Sequence, residues 1–326
     1  NALVVDYRQA RVVRAIDWYL CFLPDETRAM KFVSFADGDG GERFGVVDEH
    51  GAVVDLVAAC PDGPATLIDF IAAGDSALAA ARAALNATGA GDRRALETVR
   101  LLAPIPRPRK NVFCVGRNYK AHVEEGYRAR GGELAYPPAP QFFTKAPTAV
   151  FGPRETAILD PGVTAKFDYE AELGIVIGAG GRNIAEAAAF DAIFGYTIIN
   201  DLTARDLQRH HDQWFKGKSL DRSCAVGPWI VHASAIADPQ DLAISLSVNG
   251  EQRQSSRTSQ MIFSIPRIIH DLSLGMTLEP GDLIATGTPQ GVGYAMEPPR
   301  FLRGGDVIEI DVEQIGRLTT RVQEIT

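Results

Sequence analysis

The amino-acid sequence predicts an α+β protein: a mixed β-sandwich roll preceded by a small N-terminal α/β module. Three observations carry this expectation. Strand-type runs dominate the second part of the chain, where residues 111–115, 169–177, 194–200, 229–232, 243–248, 282–286 and 307–313 are apolar or alternating. Helical patterns are few there and do not alternate regularly with the strands, which disfavours a doubly wound parallel sheet. Finally, Pro104-Ile105-Pro106-Arg107-Pro108-Arg109 can continue neither a helix nor a central strand, so it divides the chain near residue 105.

Taken in order, residues 1–29 hold Arg-rich stretches and a short apolar piece at 18–23, without the apolar core or cleavage site of a secretion signal. They are set apart as an N-terminal extension of undetermined status. From Met30 a small domain spans 30–104. Strands at 31–35 and 43–47 flank Gly38-Asp39-Gly40-Gly41, a third short strand follows, and 65–85 has a helical period. Because no helix follows the glycines, they read as a hairpin turn and not as a phosphate cradle. The larger domain spans 105–326. Its helical patterns are a short one near His122 and others at 184–192, 202–214 and 261–273, and Asn249-Gly250 suits a type I′ hairpin turn. Gly178-Ala179-Gly180-Gly181 partly matches a dinucleotide fingerprint, but Asn183 takes the place of its last glycine. It reads as a strand-to-helix turn. No internal repeat is present.

Composition narrows the function. The 326 residues are 46% hydrophobic and 23% charged, values of an ordinary globular chain. A formal net charge of −8 opposes nucleic-acid binding and attachment to anionic lipid through basic residues. No stretch has the length of a membrane span. An acidic chain that handles an anion must supply local cations, from a metal or from placed Lys and Arg. The cysteines, Cys21, Cys60, Cys114 and Cys224, form no C-x-x-C pair, so the expected setting is a reducing cytoplasm, with Cys114 and Cys224 buried and free.

The chemistry concentrates in acids. In Asp168-Tyr169-Glu170-Ala171-Glu172-Leu173, Glu170 and Glu172 alternate with apolar or small residues, so on a strand they project to one face. Adjacent anions repel unless solvated or bridged by a cation, and hard divalent ions prefer oxygen ligands. The same alternation recurs at Glu309, Asp311 and Glu313, on what reads as an exposed hairpin, so alternation alone does not define a site. Two features set the first group apart. Glu172 runs directly into Leu173-Gly174-Ile175-Val176-Ile177, a run of the kind buried on both faces, and Ile198-Ile199-Asn200-Asp201 brings a third acid to the end of another buried strand. Glu170, Glu172 and Asp201 are the expected ligands of one divalent cation, Mg²⁺ first and Mn²⁺ or Ca²⁺ as alternatives.

Several stretches, taken in order, resemble the fumarylacetoacetate hydrolase family and its acylpyruvate hydrolase branch. They are Val115-Gly116-Arg117-Asn118-Tyr119 with His122, Phe142-Phe143-Thr144-Lys145, Asp168 to Leu173, and Asn200-Asp201-Leu202-Thr203-Ala204-Arg205-Asp206-Leu207-Gln208. Gly217-Lys218-Ser219, Gly227-Pro228-Trp229, Ser259-Gln260-Met261-Ile262-Phe263-Ser264 and Gly281-Asp282-Leu283-Ile284-Ala285-Thr286-Gly287-Thr288-Pro289 complete the set, which covers nearly all of 105–326. Ala225, where the family commonly has proline, and residues 1–29 depart from the pattern. The module from Met30 also looks like the small N-terminal domain that many members carry.

The resemblance implies the same three metal ligands, the mixed β-roll, a homodimer, and a role in aromatic-compound catabolism. It further implies that His122 and Glu125, three apart on a helix, activate water, and that Lys218 stabilises negative charge. Read without it, His122–Glu125 suits a surface pair and Lys218 plain surface charge. Arg205 and Gln208, one turn beyond Asp201, suit a substrate carboxylate, although Arg205 suits a surface pair with Asp206 or Asp212 as well. Thr288 suits a substrate hydrogen bond or an ordinary turn, residues 128–136 a closing lid, and the tandem His210-His211 a solvated pair in preference to a metal site. The expected reaction is hydrolysis of a C–C bond in a 2,4-dioxo acid, with the leaving enolate held by the metal and Lys218. Decarboxylation, keto–enol isomerisation and hydration of a 2-oxo acid use the same groups, and a non-catalytic binding relative is the reading from another class.

Overall fold

The computed structural model describes residues 30–325 apart from 39, 88 and 90–92; the N-terminal extension and Cys21 lie outside the described residues. Its backbone is a large sheet against which a smaller sheet and two groups of helices pack. The large sheet runs, in spatial order, through Arg93–Ala95, Ala52–Asp55, Glu42–Val47, Lys31–Ala36, Cys224–His232, Ile193–Asp201, Ala171–Ile177, Leu283–Ala285, Val112–Gly116 and Gln141–Lys145. The N-terminal strands are therefore continuous with those of the larger domain, joined where Lys31 and Phe32 pair with Val231 and Ile230. A five-stranded sheet, ordered Glu251–Arg257, Ala243–Val248, Val307–Val312, Gly316–Glu324 and Thr156–Leu159, forms the second layer.

The continuous apolar runs are explained by this layering. Leu173, Ile175, Ile177 and Ile198 pack toward Ile244, Leu246, Ile308, Ile310 and the helix Ile265–Ser273. From the opposite face of the same strands, Val176, Phe194 and Ile199 pack with Phe32, Phe44 and Phe70 of the N-terminal segment. A strand buried on both faces has no polar alternation to display. The Phe194 ring lies 5.2 Å from that of Phe32 and 6.4 Å from that of Phe70, so an aromatic cluster joins the two segments.

The glycine turn at 38–41 links two paired strands, with Asp37 N–H donating to Gly41 O at 2.8 Å, and is a hairpin as expected. Asn249 (φ 52°) and Gly250 (φ 79°) take the left-handed conformations that a type I′ turn requires. Helix extents differ more from expectation. The 65–85 pattern is two helices, Leu67–Ala73 and Asp75–Ala87, split at Gly74 (φ 63°). The 184–192 pattern yields only two 3₁₀ turns, Glu186–Ala188 and Phe190–Ala192, and Gly181–Arg182 ahead of them is a short strand, so the glycine run enters no α-helix. Of 202–214 only Arg205–His210 is α-helical, because Thr203–Ala204 pairs with Phe167–Asp168 first. The 261–273 helix starts at Ile265, where Ser264 accepts from Arg267 N–H. Cys114 and Cys224 are buried and free. No helix among the described residues is long and apolar enough to cross a membrane.

Replacing Phe194 by Ala empties the aromatic cluster and should cost about 3–5 kcal/mol. Urea unfolding followed by circular dichroism measures this; a loss under about 1 kcal/mol would show that the two segments do not share a cooperative core.

Candidate metal centre and active site

The site forms where three central strands end. Asp201 N–H donates to the Glu170 carbonyl at 2.9 Å, and Ala171 pairs with Asn200, so the acids of the two strands are held side by side. Glu172 has the same parity along its strand as Val176, and Asp201 the same as Ile199, so both turn toward one face. Glu170, Glu172 and Asp201 each bring a carboxylate oxygen within 4.8 Å of the others, and all three are buried. The repeated alternation at Glu309, Asp311 and Glu313 has the opposite fate. Its acids lie on the wet side of a hairpin, bonded to Arg317 and Arg257.

Cations surround the triad. Lys145, fully buried, donates from Nζ to Asp201 Oδ1 at 2.7 Å and to the Leu202 carbonyl at 3.0 Å. Lys218 Nζ bridges Glu170 Oε2 at 2.6 Å and Asp201 Oδ2 at 2.7 Å. Arg205 contacts Asp168 at 2.9 Å and Glu170 at 2.7 Å, and its Nη1 donates to Gln208 Oε1 at 3.2 Å. It is thus a buried tie and not the surface partner of Asp206 or Asp212. Asp206 instead accepts from Thr164 and Ala165. Because Gln208 accepts through Oε1, its amide N–H groups remain to face a ligand.

Charge in this cluster is unequally shared. Burial opposes the charge on Lys218, but the Asp201 and Glu170 carboxylates outweigh it, and the ammonium pKa stands above its ordinary value. Burial likewise works against ionised Glu170, yet Lys218 and Arg205 hold its pKa below the usual carboxylate range. Glu172 is the exception: burial, then the Asp201 and Glu170 charges, push it well up. Among the described residues it has no ion pair, and its carboxylate receives a hydrogen bond from Gly287 N–H at 2.6 Å. The buried acids Asp168, Glu170, Glu172 and Asp201 outnumber Lys145, Arg205 and Lys218 by one. A divalent ion bound through oxygens at about 2–2.5 Å fits both the donor set and that surplus. The acidic triad can bind a divalent metal.

His122 and Glu125 sit on the helix Lys120–Arg130. Glu125 Oε1 lies 2.8 Å from His122 Nδ1, and its Oε2 accepts from Gly291 N–H at 2.8 Å. A carboxylate on Nδ1 keeps the proton there and leaves Nε2 as the base. His122, Glu170, Glu172, Arg205, Gln208, Lys218 and Thr288 line one small pocket, so the expected site residues do converge. Phe143 and Trp214, their rings 5.3 Å apart edge to face, wall it, and Lys218 Nζ lies 4.9 Å from the Phe143 centroid. Of 128–136, residues up to Arg130 continue the helix, and Tyr136 donates to Glu124 at 2.7 Å. His210 and His211 are exposed and belong to no candidate metal group among the described residues.

Several participants carried no signal of their own. Lys145 and Asp168 lie in recognisable stretches, but a lone Lys or Asp on a strand looks like any surface charge. Asp168 accepts from Tyr169, Gly293 and Tyr294 N–H groups as well as from Arg205, which ties a strand to a distant loop. Only the paired burial of its partners shows this.

A buried carboxylate triad, a carboxylate-held imidazole and a buried lysine thus meet around one pocket, a constellation of the kind that enzyme sites use. Residues 111–323 match the family described as "Fumarylacetoacetate (FAA) hydrolase C-terminal", and 30–104 match "Rv2993c-like, N-terminal". The chain belongs to the fumarylacetoacetate hydrolase family. It is 48% identical over 265 residues to oxaloacetate tautomerase YisK of Bacillus subtilis, covering 79% of this chain and 87% of that protein. To the mitochondrial oxaloacetate tautomerase FAHD2A of Bos taurus it is 39% identical over 300 residues, covering 91% and 92%. Among solved structures, the fumarylacetoacetate hydrolase EaFAH from Exiguobacterium antarcticum superposes with a TM-score of 0.76 at 41% identity, covering 91% of this chain and all of that one.

Two outcomes are expected at this site. Lys145→Met leaves half of Asp201 unpaired in the interior and should cost about 3–5 kcal/mol, read as a fall in urea midpoint; an unchanged midpoint would contradict the ion pair. Glu172→Gln removes the surplus charge, so the metal-free variant should melt no lower than wild type. It should also lose the stabilisation that wild type gains from millimolar Mg²⁺ or Mn²⁺, about 2.7 kcal/mol at 100 times Kd. A full cation-dependent shift in this variant would remove Glu172 from the ligand set.

Proposed function

We propose that this enzyme is a divalent-cation-dependent keto–enol tautomerase acting on a small 2-oxo diacid of the oxaloacetate type. The observation that carries this choice is the likeness to proteins named as oxaloacetate tautomerases, and the geometry of the pocket supports it. Mg²⁺ is the proposed ion, held by Glu170, Glu172 and Asp201, and it would supply Lewis acidity toward the 2-oxo and carboxylate oxygens.

The chain's own groups then divide the work. His122 Nε2 accepts a proton from the carbon between the two carbonyls and returns it to the 2-oxo oxygen, so that a C–H bond breaks and an O–H bond forms; the reverse direction uses the same atoms. Glu125 holds the ring's orientation. Lys218 stays protonated and offers fixed positive charge beside the oxygen that becomes negative. Gln208, oriented by Arg205, donates to the substrate carboxylate. Phe143 and Trp214 limit water beside Lys218, which strengthens these interactions.

C–C hydrolysis of an acylpyruvate, the reaction expected from sequence, stands second. It is favoured by the same dyad, since a base fixed by a carboxylate can deprotonate water as well as carbon. Loss of the enol absorbance of oxaloacetate, followed with Mg²⁺ and with EDTA, tests the first reading; carboxylic-acid release from an acylpyruvate panel tests the second. Cation-dependent release with no acceleration of oxaloacetate tautomerisation would reverse their order. Under either reading His122→Asn should lower kcat about 10²–10⁴-fold. A kcat within about threefold of wild type would exclude His122 as the base.

A further inference from the structure

Gln254 belongs to none of the walls of the pocket, yet its amide reaches one of them. It lies on Glu251–Arg257, the edge strand of the five-stranded sheet, and is 1% exposed. Its Oε1 accepts from Ala171 N–H at 2.9 Å, between Glu170 and Glu172. Its Nε2 donates to Thr288 Oγ1 at 2.8 Å and to the Pro289 carbonyl at 2.7 Å. These partners allow one orientation of the amide. Turned over, it would set an NH₂ against the Ala171 N–H and a carbonyl oxygen against the Pro289 carbonyl.

The consequence falls on Thr288. Nε2 can only donate, so the Thr288 hydroxyl is the acceptor in that bond and its single proton points elsewhere. Among the described residues no acceptor takes that proton. Thr288 is 3% exposed and lines the pocket beside His122, Gln208 and Lys218. We infer that Gln254 is a positioning residue that fixes Thr288 as a hydrogen-bond donor toward a substrate oxygen that carries negative charge. The inference rests on the pocket being the site of a 2-oxo acid, and adds to it the polarity of this contact. The second sheet thereby sets a donor in a site that the first sheet builds.

The test is a double-mutant cycle. Gln254→Glu keeps an acceptor for Ala171 N–H but offers Thr288 a second acceptor, which turns its proton away from the pocket. Gln254→Met, without new charge, frees the hydroxyl to rotate and serves if Gln254→Glu fails to fold. Each is made in wild type and in Thr288→Val, with thermal melts as the check on folding. Two readouts are taken: kcat for oxaloacetate tautomerisation, and Kd for oxalate, a planar dicarboxylate, with saturating Mg²⁺.

Removing one donor to a developing oxyanion lowers kcat about 100-fold, so Gln254→Glu should approach that in wild type, and Gln254→Met about 10-fold, with oxalate weakened as well. In the Thr288→Val background neither substitution should change either readout by more than about twofold, because the group they act through is gone. Equal losses in both backgrounds would mark Gln254 as merely structural and overturn the inference. So would oxalate that binds wild type no better than Thr288→Val. If wild type leaves oxaloacetate unchanged while the oxalate coupling holds, the tautomerase reading falls and the positioning role stands.

Discussion

Burying negative charge is the constraint around which this molecule is arranged. Asp168, Glu170, Glu172 and Asp201 lie at the ends of strands whose other residues are apolar, and leaving any one of them unpaired there costs several kcal/mol. Lys145, Arg205 and Lys218 answer most of that cost, each drawn from a different element: an edge strand, a short helix and the single turn Phe215–Lys218. The elements around the site are therefore held as much by these pairs as by the apolar layers behind them. The one carboxylate without a cation, Glu172, is where a divalent ion has most to contribute.

Two of these acids, with Glu125, organise the loop after Leu283–Ala285. Gly287 N–H donates to Glu172, Gly291 N–H to Glu125, and Gly293 and Tyr294 N–H to Asp168, while Asn118 Nδ2 donates to the Thr286 carbonyl. Glycine is required at 293 by close approach: a Cβ there would lie 2.0 Å from the Arg300 carbonyl oxygen and 2.6 Å from Asp168. The segment from Thr286 through the 3₁₀ turn Gly293–Ala295 thus ties Glu172, Glu125 and Asp168 to the stretch that carries Thr288. Preorganised donors and fixed charges of this kind lose little to rearrangement when charge develops on a substrate.

Much of this could be read from the chain. Burial of the run after Glu172 and a third acid at Asp201 separated a metal site from the wet hairpin at Glu309, since burial is what makes an unpaired acid costly. The three-residue spacing of His122 and Glu125 was enough to place them together, because helix geometry is local. Helix extents were less legible. Residues 184–192 have helical periodicity but form 3₁₀ turns, since the chain is held by tertiary bonds from Asn183 and Ile184 to Ser273. Thr203 and Ala204 join a two-stranded ladder before the helix can start.

The sequence by itself determined the layered α+β architecture, the family, and which acids gather into a group able to hold a metal, because these rest on periodicity, local spacing and an ordered set of motifs. Only the tertiary structure decided what those groups are bonded to. That Arg205 turns inward to Asp168 and Glu170, that Lys145 closes Asp201, and that Gln254 from another sheet bonds Thr288 are contacts between residues 34 or more positions apart. No local pattern encodes them, because they come into being only when the strands are packed and water is excluded.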